Sequence, residues 1–231
     1  MQVVSTNIAV PHDHSVRRYP TTGIDKHPAA SINVSAPGPN YGDGSGVVDD
    51  FVGDSDFHGG AHKAVYAYAR EELDHWEGKL GRPLRSGMFG ENLTTSGVVL
   101  RDLLIGQQVR VGSALLEVSV PRTPCGTFAK WLGERGWVKT WADRGDCGAY
   151  FRVLEPGRIA PGDALEFIGC PDHDVTMGMA FRAKLGDLEL ARHVVEVHCL
   201  PDIHHLPMAK RVEVADKHAK LRVSRGTSHS E

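Results

Sequence analysis

The 231-residue sequence carries almost no excess charge: Lys and Arg number 26, Asp and Glu 29, for a formal net charge of −3. That balance excludes a protein that holds nucleic acid or anionic membrane by bulk charge. No uninterrupted apolar run approaches the ~18 residues a spanning helix needs. The stretch Met1–Val10 lacks a basic start, and Ser5, Thr6 and Asn7 interrupt its apolar residues, so no export signal is expected. Cysteine is scarce. Cys125, Cys147, Cys170 and Cys199 form no C-x-x-C pair, the spacing on which tetrahedral zinc sites draw. Neither structural zinc nor a disulfide framework is expected, and the chain reads as cytoplasmic with reduced thiols. There is no G-x-S-x-G elbow, which leaves a serine hydrolase of that type without support. Gly42, Gly44 and Gly46 match neither the dinucleotide fingerprint nor the phosphate loop. Asp43, Asp49, Asp50, Asp54 and Asp56 lack the calcium-loop spacing.

What is present is the composition of a globule, 41% hydrophobic and 24% charged. Glycine, 26 of 231 or about 11%, exceeds the usual ~7%, which implies many turns and short elements. Strands are expected at 3–10, 150–154 and 164–168, and at 63–68, where a helix is the alternative. A hairpin is expected from 108–111 and 114–120, turning at Gly112-Ser113. In its second strand Leu116, Val118 and Val120 share one face, opposite Glu117 and Ser119. Leu73, Trp76 and Leu80 mark an amphipathic helix over 70–80, ended by Gly81. Short strands separated by turns predict a mainly β, α+β chain, a barrel or sandwich with peripheral helices. The composition shifts after Cys170. Asp174 is an expected N-cap, helices follow over 175–184 and 187–199, and Pro201 opens a third, short one. The expected organisation is a β domain over 1–170, a helical extension over 171–210 and a mobile basic and polar tail over 211–231. His12, His14, His173, His204 and His205 read as solvated.

Three segments carry candidate chemistry. In Pro121-Arg122-Thr123-Pro124-Cys125 the prolines end a strand and stiffen the loop. Phe128, Trp131 and Leu132 then mark a short helix, which puts Cys125 at or just before its N-terminus with Arg122 nearby. Both features favour a thiolate, the form that attacks electrophiles, carries sulfane sulfur or binds a soft metal. A buried, inert thiol is the alternative from these residues alone. In the second segment Gly59 and Gly60 permit close backbone approach, and His58, His62 and Lys63 are donors suited to an anion. His58 and His62 have the i, i+4 spacing of a helical zinc motif, but Gly59-Gly60 is poor helix material and no Glu follows His58. In the third, a turn bracketed by Gly87 and Gly90 precedes Glu91 and Asn92, an acid and an amide for a polar ligand.

Taken in order, these segments resemble the MOSC-domain family, named for the C-terminal domain of molybdenum cofactor sulfurase, and within it the bacterial branch associated with resistance to 6-N-hydroxylaminopurine. The resemblance rests on Gly23-Ile24-Asp25-Lys26, Gly53-Asp54, His58-Gly59-Gly60, Lys63 to Tyr68, Phe89 to Leu93, Ile105-Gly106, Pro121 to Cys125 and Gly148 to Leu154, over roughly 20–170. It implies a β-barrel whose cleft holds a molybdopterin-type molybdenum cofactor, with Cys125 as metal ligand or persulfide carrier. His58, Gly59, Gly60, Lys63, Glu91, Asn92, Arg122 and Thr123 would line the pocket, Lys63 and Arg122 facing the pterin phosphate. Ser55-Asp56-Phe57 departs from many relatives, where basic or neutral residues precede His-Gly-Gly. Longer cofactor sulfurases also carry a pyridoxal-phosphate domain; this chain has no room for one and no lysine in a recognisable site, so pyridoxal phosphate attaches only to those longer members. The activity implied is molybdenum-dependent reduction of N-hydroxylated compounds. The alternatives are a Cys125 persulfide carrier and a non-catalytic molybdopterin-binding module. The expected partners are a small-molecule substrate and an external electron or sulfur donor, with no nucleic acid or membrane, in an assembly compatible with a homodimer.

Overall fold

The chain was analysed as a computed structural model that describes residues 1–16 and 19–226. Its strands are β1 (Gln2–Ala9), β2 (His12–Val16), β3 (Tyr19–Thr22), β4 (Lys26–Ala29), β5 (Ile32–Val34), β6 (Val65–Ala69), β7 (Leu93–Ser96), β8 (Gln108–Val111), β9 (Ala114–Val118), β10 (Ala149–Glu155), β11 (Gly157–Ile159) and β12 (Leu165–Ile168). The helices are α1 (Arg70–Leu80), α2 (Gly126–Leu132), α3 (Trp137–Arg144), α4 (Met177–Leu185), α5 (Leu188–Val197) and α6 (Asp202–Gly226).

An eight-stranded sheet runs β12-β8-β9-β10-β6-β7-β1-β4. Its neighbours are antiparallel except β6 and β7, which are parallel and joined by a crossover through α1. Every residue of β6, Val-Tyr-Ala-Tyr-Ala, is buried, as expected of a strand covered on both faces. The sheet curls until its β12 edge reaches the start of β1: the Leu165 amide donates to the Met1 carbonyl at 3.2 Å and Val3 to Asp163 at 2.9 Å. The result is a curled half-barrel with helices packed outside it, the α+β architecture expected from the sequence. On one flank Phe89, Phe128 and Trp137 pack edge to face, with centroids 4.9 to 5.8 Å apart. That arrangement suits the ring quadrupoles and seats α2 and α3 on the barrel.

The hairpin and α1 lie where hydrophobic alternation and helical spacing put them. Several local readings needed correction. β11 forms inside the Pro- and Gly-rich link 155–163 by pairing with β5, more than 120 residues away, and α3 was not anticipated. Helix α4 is capped by Thr176, whose hydroxyl accepts from Met179 N at 3.2 Å, and not by Asp174. The helix after Pro201 is 25 residues long rather than short, and it occupies positions where a polar tail was expected. Beside the buried Met208, polar contacts tie it to the preceding helices: Arg192 of α5 binds Asp216, and Arg211 donates to the Ala183 and Lys184 carbonyls at the end of α4. The remainder of the expected tail, 227–231, lies outside the described residues. No helix among the described residues is long and apolar enough to cross a membrane.

Candidate active site

Cys125 stands at the N-cap of α2 in extended backbone, φ −138° and ψ 164°, as the two prolines and the apolar spacing predict. Phe128 and Leu132, both buried, anchor the helix to the barrel, and Gly133 ends it in a left-handed conformation. The half-buried thiol faces a cavity of about 110 Å³ whose wall also includes His58, Lys63, Asp50, Arg122 and Tyr150. The other thiols differ. Cys147 is buried, and desolvation pushes its pKa far up; burial also raises Cys199, to about 11.

Beside Cys125 lie two cations that form no ion pair with a carboxylate among the described residues. Arg122 is 7% exposed. Its guanidinium sits 4.4 Å from the Phe128 ring centroid and 4.9 Å from that of Tyr66, and it donates to the Phe89 carbonyl. Burial alone would lower its pKa, but Tyr66, Tyr150 and Cys125 outweigh that and raise it, so it stays charged. Lys63 follows the turn at Gly59-Gly60 and a 3₁₀ turn over Ala61–Lys63. Its Nζ donates to the Phe57 carbonyl at 2.6 Å and lies 4.7 Å from the Tyr41 ring centroid. Burial lowers its pKa to about 8. His58 is held neutral: burial first, then the charges of Lys63 and Arg122, bring its pKa to about 3. Its Nδ1 has no hydrogen-bond partner and stands 3.9 Å from Asp54.

The glycines are required by close approach. Gly60 has φ 76°, and a Cβ there would meet the Asn40 carbonyl at 2.1 Å; Gly59 has φ 79° and faces the Gly44 carbonyl. The 40–46 loop therefore packs against the turn that carries His58 and Lys63. Here Gly44, which matched no phosphate-binding motif, accepts from Gly60 N at 2.9 Å.

One element escaped the sequence reading. Asp50, set aside with the other aspartates, is the hub of the cavity floor. Its carboxylate accepts from Lys26 Nζ at 2.5 and 2.6 Å, Asn92 Nδ2 at 2.9 Å, Ser45 Oγ at 3.0 Å and Ala9 N at 2.8 Å. Burial pushes Asp50 up, yet Lys26 and these bonds overcome it and hold the carboxyl low. The available signal was the Gly23-Ile24-Asp25-Lys26 segment, whose lysine is 6% exposed in the fold.

The sequence-predicted residues divide into two sets. His58, Gly59, Lys63, Asn92, Arg122 and Cys125 converge on the cavity. Gly60 is buried behind it, and Thr123 is exposed on the far side of its loop. Glu91 is fully buried away from the cavity, where it accepts from the amides of Gly87 and Phe89 and from Thr94 Oγ1; it holds the Gly87–Gly90 turn. Asn92 reaches the wall, but its amide is committed to Asp50, Asn7 and the Tyr66 N–H. His58 and His62 share no helix, and no group of three or more His, Cys, Asp or Glu among the described residues is arranged to hold a metal. A metal at Cys125 would have to bring most of its own ligands.

The curled barrel thus brings one half-buried thiol and two cations that form no ion pair with a carboxylate among the described residues to the same cavity. The chain matches the MOSC domain family over residues 54–166, and it belongs to that family. It is 39% identical over 166 residues to the uncharacterized protein YflK of Bacillus subtilis, covering 72% of each chain. It is 28% identical to protein YiiM of Escherichia coli over 53% of this chain and 56% of that one. A protein named reductase from Gibberella moniliformis is 31% identical over 58% of this chain but only 24% of its own length. Among solved structures, YiiM from Geobacillus stearothermophilus superposes with a TM-score of 0.72 at 28% identity, covering 91% of this chain and 98% of that one.

Proposed function

We propose that the cavity binds a molybdopterin-type molybdenum cofactor and that the protein reduces N-hydroxylated compounds of the hydroxylaminopurine kind. The observation that carries this reading is the half-buried Cys125 sulfur beside Arg122 and Lys63, two cations that form no ion pair with a carboxylate among the described residues. The donor set fits the group: a soft thiolate suits a transition metal, and paired cations suit a phosphate. Family membership and the fungal relative named reductase support a redox role.

When bound, the cofactor supplies two-electron chemistry: R–NHOH, two electrons and two protons give R–NH₂ and water. The chain's own residues do the rest. Cys125 holds the metal end from a rigid loop. Arg122, locked over Phe128 and Tyr66, and Lys63 hold the anionic end. His58, neutral across the physiological range, offers a hydrogen bond without adding charge. The electrons come from an external donor protein.

The test is reduction of 6-N-hydroxylaminopurine to adenine by cofactor-loaded protein with a reduced viologen as donor. Turnover is expected, with kcat at least about 100-fold lower in folded Cys125→Ser because a required ligand is lost. Absence of turnover at full loading overturns the proposal. Absence of turnover with gain of one sulfur on the Cys125 peptide after incubation with a cysteine desulfurase assigns the thiol to sulfur transfer instead.

A further inference from the structure

Histidines 204 and 205 are not solvated as the sequence reading had them. His205 is 7% exposed. His204, near the start of α6, is clamped on both sides: its Nδ1 lies 2.8 Å from Lys184 Nζ on α4, and its Nε2 lies 3.0 Å from the Tyr41 hydroxyl, 163 residues away in sequence. Burial lowers Lys184 to about 7; below that pH it is an ammonium that can only donate, so the ring then accepts at Nδ1 and donates Nε2–H to Tyr41. Burial, followed by the charges of Lys184, Lys63 and His62, lowers the pKa of His204 to about 2, which keeps the ring neutral and this pattern intact. The Tyr41 ring is the face against which Lys63 Nζ rests, at 4.7 Å.

We infer that His204 is a positioning residue for the cavity: held between Lys184 and Tyr41, it keeps the Tyr41 ring against Lys63, so the C-terminal helices set the environment of the cavity's lysine. The inference rests on the reading of Lys63 as a cation that serves an anion in the cavity.

The groups facing Lys63 come from several elements: Asp54 and His58 from the loop before Gly59, Arg122 and Cys125 from the proline loop, Tyr150 from β10 and Tyr41. Lys184 faces His204, Lys63 and Cys147, with no carboxylate among them. Burial is the largest influence lowering Lys63, and Tyr41 supplies part of that cover. Releasing Tyr41 admits water, and the ammonium then persists to higher pH.

The test reads the charge of Lys63 through Cys125. Alkylation of the Cys125 peptide is timed with iodoacetate, an anion, and with iodoacetamide, a neutral reagent, from pH 6 to 10. The ratio of the two rates reports local positive charge independently of how much thiolate is present. In the wild-type protein the ratio falls through a midpoint at about 8, where Lys63 loses its proton. His204→Ala, Lys184→Met and Tyr41→Phe, each checked for an unchanged circular dichroism spectrum, are expected to move that midpoint upward by about one pH unit, as restored hydration returns the lysine toward its ordinary value. His204→Gln, which can still bond Tyr41, is expected to restore part of it. Simple loss of stability would not move the midpoint. Tyr41→Phe removes one oxygen from a half-buried ring, so it keeps the test decisive if the larger changes fail to fold. A midpoint unchanged in the variants, while Lys63→Met abolishes the wild-type step, overturns the inference. A ratio that Lys63→Met leaves unaltered overturns instead the reading of the cavity on which it rests.

Discussion

The residues that fix the site differ in how far their partners lie along the chain, and that decides which were legible. Cys125 announced itself because the determinants of its position, two prolines before it and three apolar residues after it, are all local. Asp50 did not, since its partners are Lys26, Ser45, Asn92 and the Ala9 amide, brought together only by the curl of the sheet. Lys26→Met strands that carboxylate in the floor and is expected to cost about 3–5 kcal/mol, measured by urea unfolding, with part regained in Lys26→Met/Asp50→Leu. An equal loss in the single and double variants would contradict the hub. The sign of its pH dependence follows from the lowered pKa. The stabilisation is present above about 3.9, the unfolded carboxyl's value, and is lost as pH falls below that through the lower folded one. Asp146 has the opposite sign. Burial, then the charge of Glu72, raises it to about 6, so the stability it lends in acid is lost as pH rises through that value. Asp146→Asn is therefore expected to gain on wild type in the midpoint of urea unfolding as pH rises from about 4 to about 6, the interval between the unfolded and folded values, and to hold that gain above it; a constant difference across that interval would show that the group is not strained.

Elements were legible where hydrophobic period and turn chemistry agreed. The hairpin at Gly112-Ser113 and the helix ended by Gly81 are of that kind. Helix α3 was missed because only Trp137 and Trp141, one turn apart in a segment of eight residues, are buried, too few to set a helical period. The cap of α4 was misplaced because Asp174 and Thr176 are both competent caps, and the Leu104–Thr176 bridge to the barrel decides between them. Thr176→Ala is expected to lower stability by about 1 kcal/mol, while Asp174→Ala leaves the helix cap intact. At the other end of the site, Gly60→Ala places a Cβ at 2.1 Å from the Asn40 carbonyl in left-handed backbone. It is expected to lower the melting temperature and to slow alkylation of Cys125 by iodoacetate more than by iodoacetamide, because it displaces the turn carrying Lys63. Equal slowing would separate the turn from the cavity's charge.

At the scale of the molecule, the barrel was read from strands at short spacing, whereas the order of those strands and the closure of the sheet came only with the structure. The parallel β6–β7 pair and the bond from Leu165 to Met1 carry no local signature. The same holds in part for the C-terminal helices. Helices α4 and α5 dock through buried apolar residues such as Phe181 and Val194, but the placing of α6 also uses Arg211 and His204, charged and polar contacts that hydrophobic patterning does not register. A net charge of −3 for the whole chain coexists with a cavity in which Arg122 and Lys63 form no ion pair with a carboxylate among the described residues. The chain's overall charge therefore says nothing of the site's preference, and the local field decides it.

The most direct test is molybdenum and pterin content in freshly purified wild type beside Cys125→Ala, both shown to be folded. Molybdenum held by the wild type and lost from the variant, with pterin reduced but still detectable through Arg122 and Lys63, is the expected result. Equal molybdenum in the two proteins would contradict a ligand role for the Cys125 sulfur.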